Sequence, residues 1–159
     1  MNKAGKKIYS SFYPSYEGYT RMSERTVEIG ELTIHCYQSD HNKYLPGFVT
    51  PFELVCGKGS SPCVIFTSGD SCRASQLRHK SKEVTFHIVH PYVGLDVVEA
   101  YKDTVHGRTV LVNHLQELQH PKDRYRWTFA DGFAAADKLN AAGANTIVPL
   151  WGTQILWQP

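Results

Sequence analysis

From Thr26 the chain reads TVEIGELTIHCYQ, and Val27, Ile29, Leu32, Ile34 and Cys36 alternate with polar neighbours on either side of Gly30. A period of two marks strands with one covered face, and the interrupting glycine predicts a bent or bulged strand or a tight hairpin. Runs rich in β-branched residues predict further strands in FELVC at 52–56, PCVIFT at 62–67, EVTFHIVH at 83–90 and TVLVNHLQEL at 109–118. GKGSSP, TSGDS and VHG separate these runs as turns. RYRW at 124–127 is strand-like, and TQILWQP at the end of the chain reads as a closing strand.

Two segments change period. Val97, Val98 and Tyr101 in GLDVVEAYKD have helical spacing. A better helix follows Asp131, which is placed to cap it; Ala135, Ala136, Leu139 and Ala142 share a face, and Gly143 can supply a left-handed stop. Five or six short strands with two helices do not alternate as β-α-β units, so the expectation is an α+β fold. It would be a small mixed, mostly antiparallel β-barrel with two or so short helices. Residues 1–21, where Pro14 and Gly18 break any period among lysines and tyrosines, read as an irregular aromatic and basic arm; 22–159 read as one domain. The segment 41–51 is the longest expected loop.

The order of a strand, then WTFADGFAAADKLNAAG, then ILW resembles the C-terminal half of ASCH domains, a PUA-like β-barrel superfamily. In that resemblance 107–112 is the preceding barrel strand, Ala130-Asp131-Gly132-Phe133 the helix entry and Ile155-Leu156-Trp157 the closing strand. It implies a PUA-like barrel in which Gly132 lets the backbone pass close to the sheet and Phe133 plugs the barrel. It also implies RNA or modified-base recognition, or in some members small amidohydrolase activity using a lysine, a threonine and a glutamate. The segment nearest the family's cleft motif, Ser23-Glu24-Arg25-Thr26-Val27-Glu28, lacks the lysine, so no triad carries over; Arg25, Thr26 and Glu28 stand as catalytic cleft candidates.

Charge and composition narrow the partners only slightly. With 17 Lys and Arg against 15 Asp and Glu, the net charge is +2, which permits a local basic face without demanding nucleic acid. No apolar run approaches the roughly 18–20 residues of a membrane span, and the basic N-terminus lacks the apolar core of a secretory signal, so no membrane and a cytoplasmic location are expected. The four cysteines are accordingly expected as thiols.

The densest positive segment is CRASQLRHKSKE, with Arg73, Arg78, Lys80 and Lys82 as phosphate contacts. Arg126 joins them if Tyr125 and Trp127 turn to the core and leave Arg124 and Arg126 in solvent. The expected partner is therefore RNA or a nucleotide. The alternatives are a small hydrolase of the same fold acting on a modified nucleoside or RNA, or a protein-interaction module of bacterial or phage origin that docks through the tyrosine-rich arm. Cys56, Cys63 and Cys72 lack Cys-x-x-Cys spacing and no helix carries His-x-x-x-His, so no metal and no cofactor are expected. Cys72 beside Ser71 carries no local sign of an activated thiol. His87 and His90 fall on opposite faces of a strand, which argues against a paired acid and base, and His114 and His120 are unassigned.

Overall fold

A computed structural model of the 159-residue chain describes residues 8–10, 19–21, 24–37, 39, 50–70, 80–116 and 127–156. In the N-terminal arm, β1 (Ile8–Ser10) and β2 (Tyr19–Arg21) pair in parallel, so the arm is not wholly irregular. The main sheet has seven strands in chain order: β3 (Arg25–Ile29), β4 (Leu32–Cys36), β5 (Phe52–Cys56), β6 (Cys63–Thr67), β7 (Phe86–Val89), β8 (Thr109–Val112) and β9 (Asn145–Ile147). Among the described residues β3 and β9 are its two edges, so the sheet is open and does not close as the expected barrel.

The sheet is built in two modes. β3 to β6 form an antiparallel meander that starts with a tight hairpin, in which Ile29 pairs with Leu32 and Gly30 takes φ +62°. From β6 to β9 every pairing is parallel, so the sheet is not mostly antiparallel. Parallel neighbours need crossovers. α1 (Pro91–Leu95) and α2 (Val98–Val105) supply one between β7 and β8, and α3 (Phe129–Ala141) supplies the next.

The expected strand at 109–118 therefore ends at Val112, and 153–156 at the expected closing strand carry no strand. Short apolar runs do not reveal their partners. However, CVIFT, FHIV and TVLV are nearly continuous in apolar residues, as strands of parallel sheets tend to be.

One sheet face is covered by the helices. Val64, Phe66, Val89, Val110 and Val112 bury themselves against Val93, Tyr101, Val105, Ala135 and Leu139. His87 lies in this core, with its Nδ1 3.2 Å from the Tyr101 hydroxyl. Burial pushes the Tyr101 phenol well above its ordinary range. Among the described residues no helix is long and apolar enough to cross a membrane.

The entry to α3 differs in detail from the sequence reading. Thr128 is the N-cap, and Asp131 sits at the third helical position, closing a reciprocal capping box. Gly132 is closely approached not by a strand but by the segment after β8: a Cβ there would lie 2.7 Å from the Leu115 side chain. Phe133 is 53% exposed and plugs nothing. Gly143 ends the helix at φ +89°, as expected.

Candidate metal centre

Three parallel strands end at the same edge of the sheet, and just beyond each end stands a side chain able to bind a cation. Asp70 follows β6, His90 follows β7 and His114 follows β8, within one to three residues of each strand end. Crevices outside the carboxyl ends of parallel strands are where open α/β sheets bind ligands. One ligand atom from each of the three residues falls in a group whose members all lie within 4.8 Å of one another.

The spacing is one that a shared cation could occupy. Asp70 Oδ1 lies 3.6 Å from His90 Nε2 and 3.3 Å from His114 Nε2. Ligands at about 2.0–2.1 Å from a tetrahedral zinc are roughly 3.3 Å apart. At 3.6 Å the contact to His90 is too long for a direct hydrogen bond. Three protein ligands from Asp and His also leave a coordination position open, as catalytic sites do.

The local backbone is built to hold this arrangement. Ser68 is buried; its N–H donates to the Ile88 carbonyl at 2.9 Å and its hydroxyl accepts from the His90 N–H at 3.3 Å, which ties the Asp70 turn to the end of β7. The Asn113 N–H donates to the Val89 carbonyl at 3.0 Å, so the β8 end is tied to β7 as well. His114 itself has φ +63°, a left-handed conformation that strains any residue with a side chain. The rings of His90 and His114 are 4.7 Å apart between centroids, and Trp127 meets His90 edge-on at 5.2 Å.

His90 has a second task. Its Nδ1 accepts the Tyr92 N–H at 3.1 Å, capping α1. A ring nitrogen that accepts carries no proton, so Nε2 holds the proton that faces Asp70. A cation at Nε2 would therefore need the other tautomer, with the proton moved to Nδ1 and the Tyr92 N–H cap released.

The residues expected from sequence lie elsewhere or apart. Arg25, Thr26 and Glu28 are exposed on the edge strand β3, with β4 and β5 between them and β6. Thr26 Oγ1 is 2.9 Å from His35 Nδ1, and His35 Nε2 is 3.9 Å from Glu53. That row resembles a nucleophile, base and acid, but the last step is too long for a relay. The fully buried Glu53 carboxylate is instead committed to the chain at Lys80 and Ser81, accepting both backbone N–H groups at 2.9 and 3.3 Å and the Ser81 hydroxyl at 2.6 Å. Glu53 and burial together push the Tyr37 phenol far up, burial contributing more.

Lys80 and Lys82 are both exposed. Lys80 is anchored near the carboxyl end of β6 through Glu53, which pairs with Phe66. Lys82 lines a groove with Ser60, Pro62 and Arg108, all preceding β6 or β8 and so at the opposite end of the strands from Asp70. Arg73, Arg78 and Arg126 lie outside the described residues, as do Cys72, His79, His120, Arg124, Tyr125 and 41–49 of the expected loop. Cys36, Cys56 and Cys63 are free thiols, and burial raises those of Cys36 and Cys63.

The expectation of no metal site rested on cysteine spacing and helical histidine pairs, and neither signal covers a cluster of Asp and His drawn from three strand ends. A better signal was present: each of three apolar runs is followed within three residues by Asp or His. No family model matches the chain, and no curated protein or solved structure matches it significantly.

Proposed function

We propose that the chain is a metal-dependent hydrolase in which Asp70, His90 and His114 hold a zinc-class divalent cation, and that its substrate is a phosphoester of RNA or a nucleotide. The observation that carries the reading is the convergence of Asp70, His90 and His114 from three adjacent strand ends, with 3.3 and 3.6 Å separations about Asp70 Oδ1 that lie close to the spacing of ligands on one cation. A cation so held polarises a phosphoryl oxygen or lowers the pKa of a bound water toward neutrality. The basic segment from Arg73 to Lys80 begins three residues after Asp70 and supports an anionic substrate.

Zinc titration by calorimetry, with metal analysis of the protein, tests the centre. One cation per chain is expected, with binding lost in Asp70→Ala and His114→Ala. Turnover of an activated phosphodiester and of short RNA should require that cation. Arg78→Ala with Lys80→Ala should weaken RNA turnover while sparing the small ester. Failure to bind any divalent cation overturns the metal reading. The Nε2–H tautomer of His90 then favours a metal-free site in which Asp70 stands between two imidazoles and they serve as acid and base.

A further inference from the structure

Beside the metal centre, at the carboxyl ends of β8 and β9, opens a cleft of about 280 Å³ walled by Asn113, His114, Leu115, Phe129, Leu150 and Trp151. We infer that this cleft is a nucleobase subsite, an assignment that rests on the phosphoester reading above and names the part of the substrate that reading leaves unassigned. His114 belongs to both the cleft and the metal cluster, so a ligand bound in one is continuous with the other.

Two independent features define what fits. Asn113 Oδ1 is buried and has no hydrogen-bond partner among the described residues. A buried acceptor left unpaired is costly and rare, and a ligand N–H in the cleft would satisfy it once the Asn113 amide turns to face the cleft. Trp151 is 95% exposed and Leu150 58% exposed at the rim, large apolar surfaces with no cover in the described chain. An exposed indole beside a polar acceptor suits a flat, uncharged ring bearing N–H groups, and bases stack on aromatic side chains whatever their identity. His114 is the one titratable side chain among those six, so the cleft itself offers no counter-charge for a phosphate. Base in the cleft and phosphate at the cation divide the two halves of a nucleotide between two matching environments. The volume is below the roughly 300–1,000 Å³ of sites for drug-sized ligands and suits a single nucleoside, not a duplex.

The test measures binding of adenosine, adenosine 5′-monophosphate and inorganic phosphate to the full chain, with and without zinc, by calorimetry and tryptophan quenching. With zinc, the monophosphate should bind about tenfold or more tighter than phosphate, and Trp151→Ala should remove most of that excess. Asn113→Leu should do the same while phosphate affinity and zinc stoichiometry stay unchanged. Because Trp151 is almost wholly exposed, its replacement leaves the core intact and keeps the experiment readable if Asn113→Leu fails to fold. Equal affinity for the monophosphate and phosphate, in protein that binds zinc, overturns the subsite and leaves the metal reading standing. Adenosine binding that needs Trp151, in protein that binds no zinc, upholds the subsite and overturns the metal reading.

Discussion

Asp131 is the residue whose role differs most instructively from its sequence reading. It accepts the Thr128 N–H at 2.7 Å, and the Thr128 hydroxyl, also at 2.7 Å, while Thr128 Oγ1 accepts the Asp131 N–H at 3.2 Å. These bonds, the backbone one foremost, hold the Asp131 carboxyl below its ordinary value of 3.8. Thr128→Ala should lower unfolding free energy by about 1 kcal/mol, and Asp131→Asn by somewhat less because the site is exposed. The pH dependence follows in sign. A carboxyl with a lowered folded-state pKa contributes fully above its ordinary value and loses the contribution as pH falls through the lower, folded one. Urea unfolding should therefore show wild type and Asp131→Asn separated at pH 7 and converging below about pH 4. A gap that persists unchanged in acid would assign the effect to something other than the charge. The sequence contained Thr128 as well as Asp131, and the pattern of Thr followed three residues later by an acid is itself a capping signal. Reading the acid as the cap moved the helix start by three residues, from Thr128 to Asp131.

At the scale of elements, the parallel half of the sheet depends on how closely its helices pack. Gly94 in α1 faces Ala135 in α3 so tightly that a Cβ would lie 2.6 Å from the Ala135 carbonyl oxygen and 2.8 Å from its Cβ. Backbone cannot yield as a flexible side-chain tip can, so Gly94→Ala should cost roughly 1–3 kcal/mol by overpacking. Gly59→Ala, with nothing within 4 Å, should change stability by less than about 0.5 kcal/mol. Equal midpoints for the two variants in denaturant would refute the tight crossing. Such packing was not legible in the sequence, where Gly94 only opens the segment GLDVVEAYKD, whose helical spacing rests on Val97, Val98 and Tyr101. The antiparallel half was legible, because Val27, Ile29, Leu32, Ile34 and Cys36 alternate within one hairpin whose partners are adjacent in the chain. The parallel half was not, because Phe86 pairs with Thr109 and Thr109 with Asn145, and an apolar run of four residues does not encode a partner so far along the chain. The candidate site shared that fate: Asp70, His90 and His114 are separated in sequence by the crossovers that bring them together.

For the whole molecule, a cation at Asp70, His90 and His114 would clamp the ends of β6, β7 and β8, three adjacent strands of the sheet whose ordering the unfolded chain lacks. Ligands that bind only the folded state stabilise it by mass action, about 2.7 kcal/mol at a hundredfold excess over Kd. In a chain of this length each kcal/mol moves Tm by roughly 2–4 °C, so saturating zinc should raise Tm by about 5–10 °C and a chelator should reverse the rise. The tautomer shift of His90 adds a second signature: saturating zinc should move its ring 15N resonances from the Nε2–H to the Nδ1–H pattern as the Tyr92 cap is released. His114→Gly separates the cation from the scaffold. Glycine accepts φ +63° without strain, so the metal-free variant should stay within about 1 kcal/mol of wild type. It should nevertheless lose most of the zinc-induced rise in Tm, since one of three ligands is gone. A variant that still gained the full rise would place the cation elsewhere. A variant already unfolded without zinc would mean that the His114 ring is needed for packing against His90 and that its strained backbone is retained for the fold.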